Sequence, residues 1–284
     1  MAPHRRRSAR PSIAEPAFAR RALILVAVAF LGLFVMLPIA SVFAEALSHG
    51  PRASWNVLRD PETVSAIELT LLTAAISVPA NALFGVAAAW LLARYDFRGR
   101  RLLITLIELP FSVSPVIAGL IFVLLFGAQG LGPMLSRHGV QVIFAVPGIV
   151  LATTFVTFPF VAREVLSVLE SQGSEQEEAA LTLGASGLQI LWRVTLPRIK
   201  WGLLYGIVLC NARAMGEFGA VSVVSGLIRG ETNTMPLHVE TLYNEYNFVG
   251  AFTVAALLTL LALATLVAKR LVEGDGGHEE GGAR

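Results

Sequence analysis

The chain has 284 residues, of which 55% are apolar and only 15% charged, with a mean hydropathy of +0.68. A water-soluble domain carries roughly 25% charged residues, so this composition excludes a disordered chain, a disulfide-stapled secreted scaffold and a free soluble enzyme. The formal charge of +2 and the single cysteine, Cys210, which has no internal partner for a disulfide, become informative only once the charges are placed along the chain.

Apolar runs lie near 22–44, 64–93, 102–127, 141–162, 201–227 and 248–268. Each is long enough, at about 1.5 Å per residue, to cross roughly 30 Å of hydrocarbon. They lack the alternation of barrel strands, so they predict an all-α polytopic membrane protein with six transmembrane helices spanning residues 22–272. Before them, residues 1–21 form a basic segment with Arg5, Arg6, Arg7, Arg10, Arg20 and Arg21. The first run is longer than a signal-peptide core of about 7–15 residues, so it reads as a retained span. After the second run come Arg94, Arg98, Arg100 and Arg101; after the fourth, Arg163, Arg193, Arg198 and Lys200; after the sixth, Lys269 and Arg270, with Arg284 at the chain end. The opposite loops hold only Arg52, Arg59, Arg137 and Arg229. The positive-inside rule then puts both termini in the cytoplasm, as an even number of crossings of an inner membrane requires. Residues 273–284, rich in Gly and Glu, read as a disordered cytoplasmic tail.

The third run holds Glu108 and is interrupted by Pro110, Pro115 and Gly119. Two prolines and a glycine predict a broken helix whose freed carbonyls face protein or a water-filled cavity. Glu68, near the outer end of the second run, lies at interfacial depth and reads as a surface carboxylate.

The cytoplasmic connection over 164–200 is long for a compact membrane protein. Ser174-Glu175-Gln176-Glu177 has the form of a capping box and predicts a short helix over 175–183, ended by Gly184. Ser186-Gly187-Leu188-Gln189 predicts a second box, opening a helix that Pro197 stops on entry to the fifth span. The first helix exposes Glu178, Ala179 and Ala180, small residues that let another surface approach the backbone. Glu178-Ala179-Ala180-Leu181-Thr182-Leu183-Gly184, followed after nine residues by Val194-Thr195-Leu196-Pro197, resembles the E-A-A-x3-G-x9-I-x-L-P loop of permease subunits from binding-protein-dependent ABC importers. Val194 stands where that pattern has isoleucine. The resemblance implies a type I importer fold in which Glu178, Ala179, Ala180, Gly184, Val194, Leu196 and Pro197 couple the permease to an ATPase subunit. The chain has no G-x-x-x-x-G-K-[ST] phosphate loop, so it is not expected to be an enzyme, and ATP and magnesium belong to the partner.

Ionisable groups inside a span are costly and mark candidate functional positions. Arg213 and Glu217 lie one turn apart in the fifth run and can pair on one face, either as a structural ion pair or with Arg213 directed toward an anion pathway. Gly216 and Gly219 bracket Glu217 and favour a local break or close helix approach. The stretch Asn211-Ala212-Arg213-Ala214-Met215-Gly216-Glu217-Phe218-Gly219-Ala220-Val221-Ser222-Val223-Val224-Ser225-Gly226 is similar to sulfate/thiosulfate permease subunits of the CysW type. Molybdate permeases share its R-x-x-G-E-F-G core. The resemblance makes Asn211, Arg213, Glu217, Ser222 and Ser225 pathway candidates. It implies three partners besides membrane lipid: a related permease chain of the CysT type, two CysA-type ATPase subunits, and a periplasmic sulfate/thiosulfate-binding protein. No nucleic acid, metal or cofactor is expected on this chain. A secondary transporter could use Glu68, Glu108 and Glu217 but has no use for the coupling loop. A membrane enzyme would require a polar constellation that the scattered His4, His49, His138, His238 and His278 do not supply.

Overall fold

The computed structural model describes residues 17–276. Arg5, Arg6, Arg7 and Arg10, and the tail from residue 277 on, lie outside the described residues. Every regular element among them is helical. The first run is a continuous helix made of α1 (Ala17–Leu31), a π turn (Gly32–Met36) and α2 (Leu37–Ala46). A short helix, α3 (Pro51–Leu58), leads into α4 (Pro61–Arg94). Asp60 caps α4 by accepting from the amides of Glu62 and Thr63 at 3.1 and 3.4 Å. The third run is α5 (Arg100–Ser112) and α6 (Pro115–Phe126), bent by 110° at the break. Helix α7 (Gly132–Ser136) lies in the following loop, and α8 (Val146–Gln172) is the fourth run. The long connection after α8 holds α9 (Glu175–Thr182), α10 (Gly187–Ile190) and a second π turn (Leu191–Thr195). Then come α11 (Leu196–Met215), α12 (Gly219–Val224), α13 (Met235–Asn244) and α14 (Phe248–Gly276).

Among the described residues four helices are long and apolar enough to cross a membrane, or five if the bent pair α5–α6 counts as one span, against the six expected. Helix α11 is long enough but carries Arg198, Lys200, Asn211 and Arg213. It packs among α4, α8 and α14, so protein rather than lipid surrounds much of it, and the pressure for an unbroken apolar surface is relaxed. At the far end, α14 carries helix through residues 273–276, beyond the expected start of the tail.

Proline 197 does not stop a helix either. The chain is helical from Gly187 to Met215, because the π turn lets the Leu196 amide reach the Leu191 carbonyl just before the proline. A π turn widens the helix by one residue and absorbs the ring and the missing amide. The same device precedes Pro38, where the Leu37 amide bonds to the Gly32 carbonyl.

Helices α4, α8 and α11 form the centre, with Ala74, Val78, Val161, Val165, Leu169, Ile199 and Cys210 buried between them. Asn81 clasps all three: its amide donates to the Thr154 carbonyl at 3.2 Å, to Thr157 Oγ1 at 2.7 Å and to Cys210 Sγ at 3.5 Å. Water cannot compete for these bonds in the interior, so such polar links act as interhelical glue. The first helix is exposed along most of its length and packs, through α2, on α14.

Candidate functional site

Two places gather the residues singled out in the sequence. The first is the connection between α8 and α11. Helix α8 ends at Gln172, with Gly173 as its cap, and α9 begins at Glu175. Ser174 makes no side-chain cap; its hydroxyl donates instead to the Glu178 carboxylate. The expected first capping box therefore does not form, because its carboxylate has found stronger partners. Glu177 turns inward, is buried, and pairs with the guanidinium of Arg94 at the end of α4. It also accepts from Thr195 Oγ1 at 2.7 Å. A charge-assisted bond to arginine is stronger than a neutral cap.

The other end of α9 closes as the sequence requires. Gly184 has φ +84°, its amide bonds to the Leu181 carbonyl at 2.9 Å, and the Ala185 amide reaches back to Ala180 at 3.1 Å. This is a Schellman motif. The second capping box is present: Gln189 Oε1 accepts from the Ser186 amide at 2.8 Å, and Ser186 Oγ accepts from the Gln189 amide at 3.4 Å. Glu178 and Ala179 are exposed, Ala180 and Val194 are half-buried, and Leu196 and Pro197 follow at the start of α11. Around them Leu181, Leu183, Leu188 and Trp192 stand out of the surface, Leu183 at 89% exposure. So large an apolar crest beside small residues is a surface made for contact.

The second place is the break in the fifth run. Helix α11 ends at Met215, and Gly216, Glu217 and Phe218 form the turn before α12. Glu217 is buried; its carboxylate lies 2.9 Å from the Arg213 guanidinium, and its Oε1 accepts from the Ala220 amide at 3.0 Å. One carboxylate thus neutralises an arginine and closes the start of the next helix. The Arg213 side chain keeps 35% exposure.

The breaks of the third and fifth runs meet here. A Cβ on Gly119 would stand 2.7 Å from the Ala220 carbonyl oxygen and 2.9 Å from Val223 Cβ; one on Gly219 would stand 2.9 Å from Pro115 Cβ. Only glycine admits so close a crossing of α6 and α12. Pro110 lies buried within α5, and Pro115 begins α6.

The remaining candidates are dispersed. Asn211 donates to Thr265 Oγ1 at 3.2 Å and ties α11 to α14. Ser222 donates to the Gly219 carbonyl at 3.0 Å. Ser225 is buried in the outer turn, where its hydroxyl accepts from the Leu227 amide at 3.1 Å. Glu108 lines a cleft of about 460 Å³ with Phe111, Phe160, Arg163 and Glu164, and Arg163 stands 5.3 Å over the Phe111 ring. Among the described residues no group of three His, Cys, Asp or Glu could hold a metal. Between α13 and the start of α4, His238 is buried with Nε2 3.0 Å from Thr63 Oγ1. Burial lowers its pKa, against the opposing charges of Glu62 and Asp60.

The sequence does not disclose the links between helices made by Asn81, Arg94, Glu177, Thr195 and the pair Gln172 and Arg198. Asn81, an amide inside an apolar run, was the one detectable signal. The others depend on partners distant in sequence.

The family described as Binding-protein-dependent transport system inner membrane component matches residues 81–273. The chain belongs to this family. It is a multi-pass membrane component. The sulfate transport system permease protein CysW of Synechocystis sp. is 53% identical over 91% of this chain and 94% of its own length. The protein of the same name from Escherichia coli K12 is 53% identical over 84% of this chain and 82% of its own length. The sulfate transport system permease protein CysT of Salmonella typhimurium is 36% identical over 84% and 86%. A bacterial ABC transporter that imports the acidic polysaccharide alginate contains a chain of the same fold, with a TM-score of 0.74 and 17% identity over 90% of this chain and 94% of that one.

Proposed function

We propose that this chain is the permease subunit of an ATP-driven, binding-protein-dependent importer of sulfate, with thiosulfate as a second substrate. The observation that carries the reading is the 53% identity to CysW proteins over nearly the whole chain. The chain makes and breaks no covalent bond. It pairs with a related permease chain of the CysT type, a protein that is itself 36% identical to this one. Two ATPase subunits bind ATP and magnesium on the cytoplasmic side, where both termini lie. The crest of Leu181, Leu183, Leu188 and Trp192, with Glu178, Ala179 and Ala180, is the surface they grip. ATP binding draws the two crests together, and the permease pair rocks between inward-facing and outward-facing states. A periplasmic binding protein delivers the anion to the outer loops.

Along the path, Arg213 supplies the positive charge and Glu217 tempers it, so the dianion is not held too tightly. Selectivity lies chiefly in the soluble binding protein. The test is uptake of labelled sulfate in cells lacking this chain and then regaining it, with molybdate as competitor. Restored sulfate uptake, little affected by molybdate, is expected. Restored molybdate uptake without sulfate uptake would replace the substrate.

A further inference from the structure

We propose that Arg94, Glu177 and Thr195 are positioning residues that lock the coupling helix to three membrane helices, so that a push on α9 moves α4, α8 and α11 together. The proposal rests on the reading that α9 is gripped by an ATPase subunit.

A helix of eight residues on the end of a loop is a poor lever. Without outside support its exposed turns fray and its direction wanders. Helix α9 presents Glu178, Ala179, Leu181 and Leu183 to solvent, and Glu177 is its one buried residue. All its grip on the membrane helices from that face therefore passes through one carboxylate. The carboxylate meets Arg94, the last residue of α4, through both its oxygens. The same guanidinium donates to the Leu169 carbonyl at 3.4 Å and the Gly173 carbonyl at 2.9 Å, at the end of α8. On the far side Thr195 donates to Glu177 at 2.7 Å from the turn that opens α11. Both ionic side chains are about nine-tenths buried.

A second lock supports the first. The Gln172 side-chain amide donates to the Arg198 carbonyl at 3.1 Å, and the Arg198 guanidinium donates to the Gln172 carbonyl at 3.0 Å. The end of α8 and the start of α11 are thereby tied reciprocally. At its other end α9 is held by the Gly184 turn and the Ser186 capping box, and from Gly187 the chain is helical without a break into α11. Both ends of the coupling helix are thus joined to the bundle, one through a buried charge and the other through the capped Gly184 turn and the helix that follows it. Bistable, closely packed elements transmit displacements that loosely tethered ones dissipate.

The whole complex, with both permease chains, the ATPase subunits and the binding protein, is reconstituted in vesicles. ATP hydrolysed per labelled sulfate imported is then measured for Thr195→Val, Thr195→Ser and Glu177→Gln. Thr195→Val removes the hydroxyl while keeping the shape, and Thr195→Ser restores the bond. The valine and glutamine variants are expected to retain the ATPase subunits but raise the ratio about fivefold or more, the lower end of ordinary coupling free energies. Thr195→Ser is expected to restore it. A ratio unchanged while both activities fall together would overturn the proposal, and so would failure of all three variants to assemble, which would make the cluster a folding element. Retention of the ATPase subunits is scored separately with Leu183→Asp. If that variant binds them as the unaltered chain does, the docking reading fails instead.

Discussion

Two of the Arg–Glu pairs of this protein, Arg94–Glu177 and Arg213–Glu217, are built from the same groups and do different work. Arg94 and Glu177 are 83 positions apart, both deeply buried, and the pair is tied further to the Leu169 and Gly173 carbonyls and to Thr195. Arg213 and Glu217 lie one turn apart on the same stretch of chain, the carboxylate buried and the guanidinium still 35% exposed. A pair that joins distant segments holds an architecture in place. A pair within one turn holds almost nothing distant, and it leaves one partner open to something else.

That contrast can be broken first at the membrane pair. The double substitution Arg213→Gln with Glu217→Gln removes both charges together, a change that buried pairs often tolerate with little net cost. Assembly is expected to persist while sulfate uptake falls by about tenfold or more, as losing about 1.4 kcal/mol of barrier-lowering interaction requires. Unaltered uptake would leave the pair purely structural. Glu217→Ala alone strands Arg213 and uncaps α12, and a loss of about 3 kcal/mol is expected in thermal unfolding of the purified complex.

Glycines sharpen the same contrast between the two regions. Gly119→Val forces a side chain onto the Ala220 carbonyl, backbone that cannot swing aside, and about 1–3 kcal/mol of overpacking is expected in the same unfolding assay. Gly184→Ala meets open space, so only its φ of +84° resists. About 1 kcal/mol is expected, read as a small fall in unfolding temperature with uptake intact.

What the sequence disclosed follows from how local each cause is. The Gly184 turn and the Ser186 box were legible because their partners lie within five residues. The Arg213–Glu217 pair was legible for the same reason, and the break in the third run because proline and glycine declare it. Its 110° angle was not, since that depends on α12 arriving against Gly119. Ser174 and Glu177 had the right spacing for a cap, but an arginine at the end of another helix outbid the local amide. Pro197 misled in the same way: a π turn upstream removed the clash that the proline alone would impose. The family was readable from the resemblance of its motif, whereas the Arg94–Glu177 anchor required the fold.

The placement of the first helix bears on how the protein is made. Residues Phe18–Ala46 have the highest mean hydropathy of any candidate span, 2.9, yet their principal neighbour is α14, the last helix of the chain. At ordinary synthesis rates, α14 leaves the ribosome roughly 200 residues and about 10–40 s later. Through that interval the first helix must survive in lipid unaccompanied. Its oiliness is therefore a provision for waiting, and the bundle closes on it only once α14 has been made.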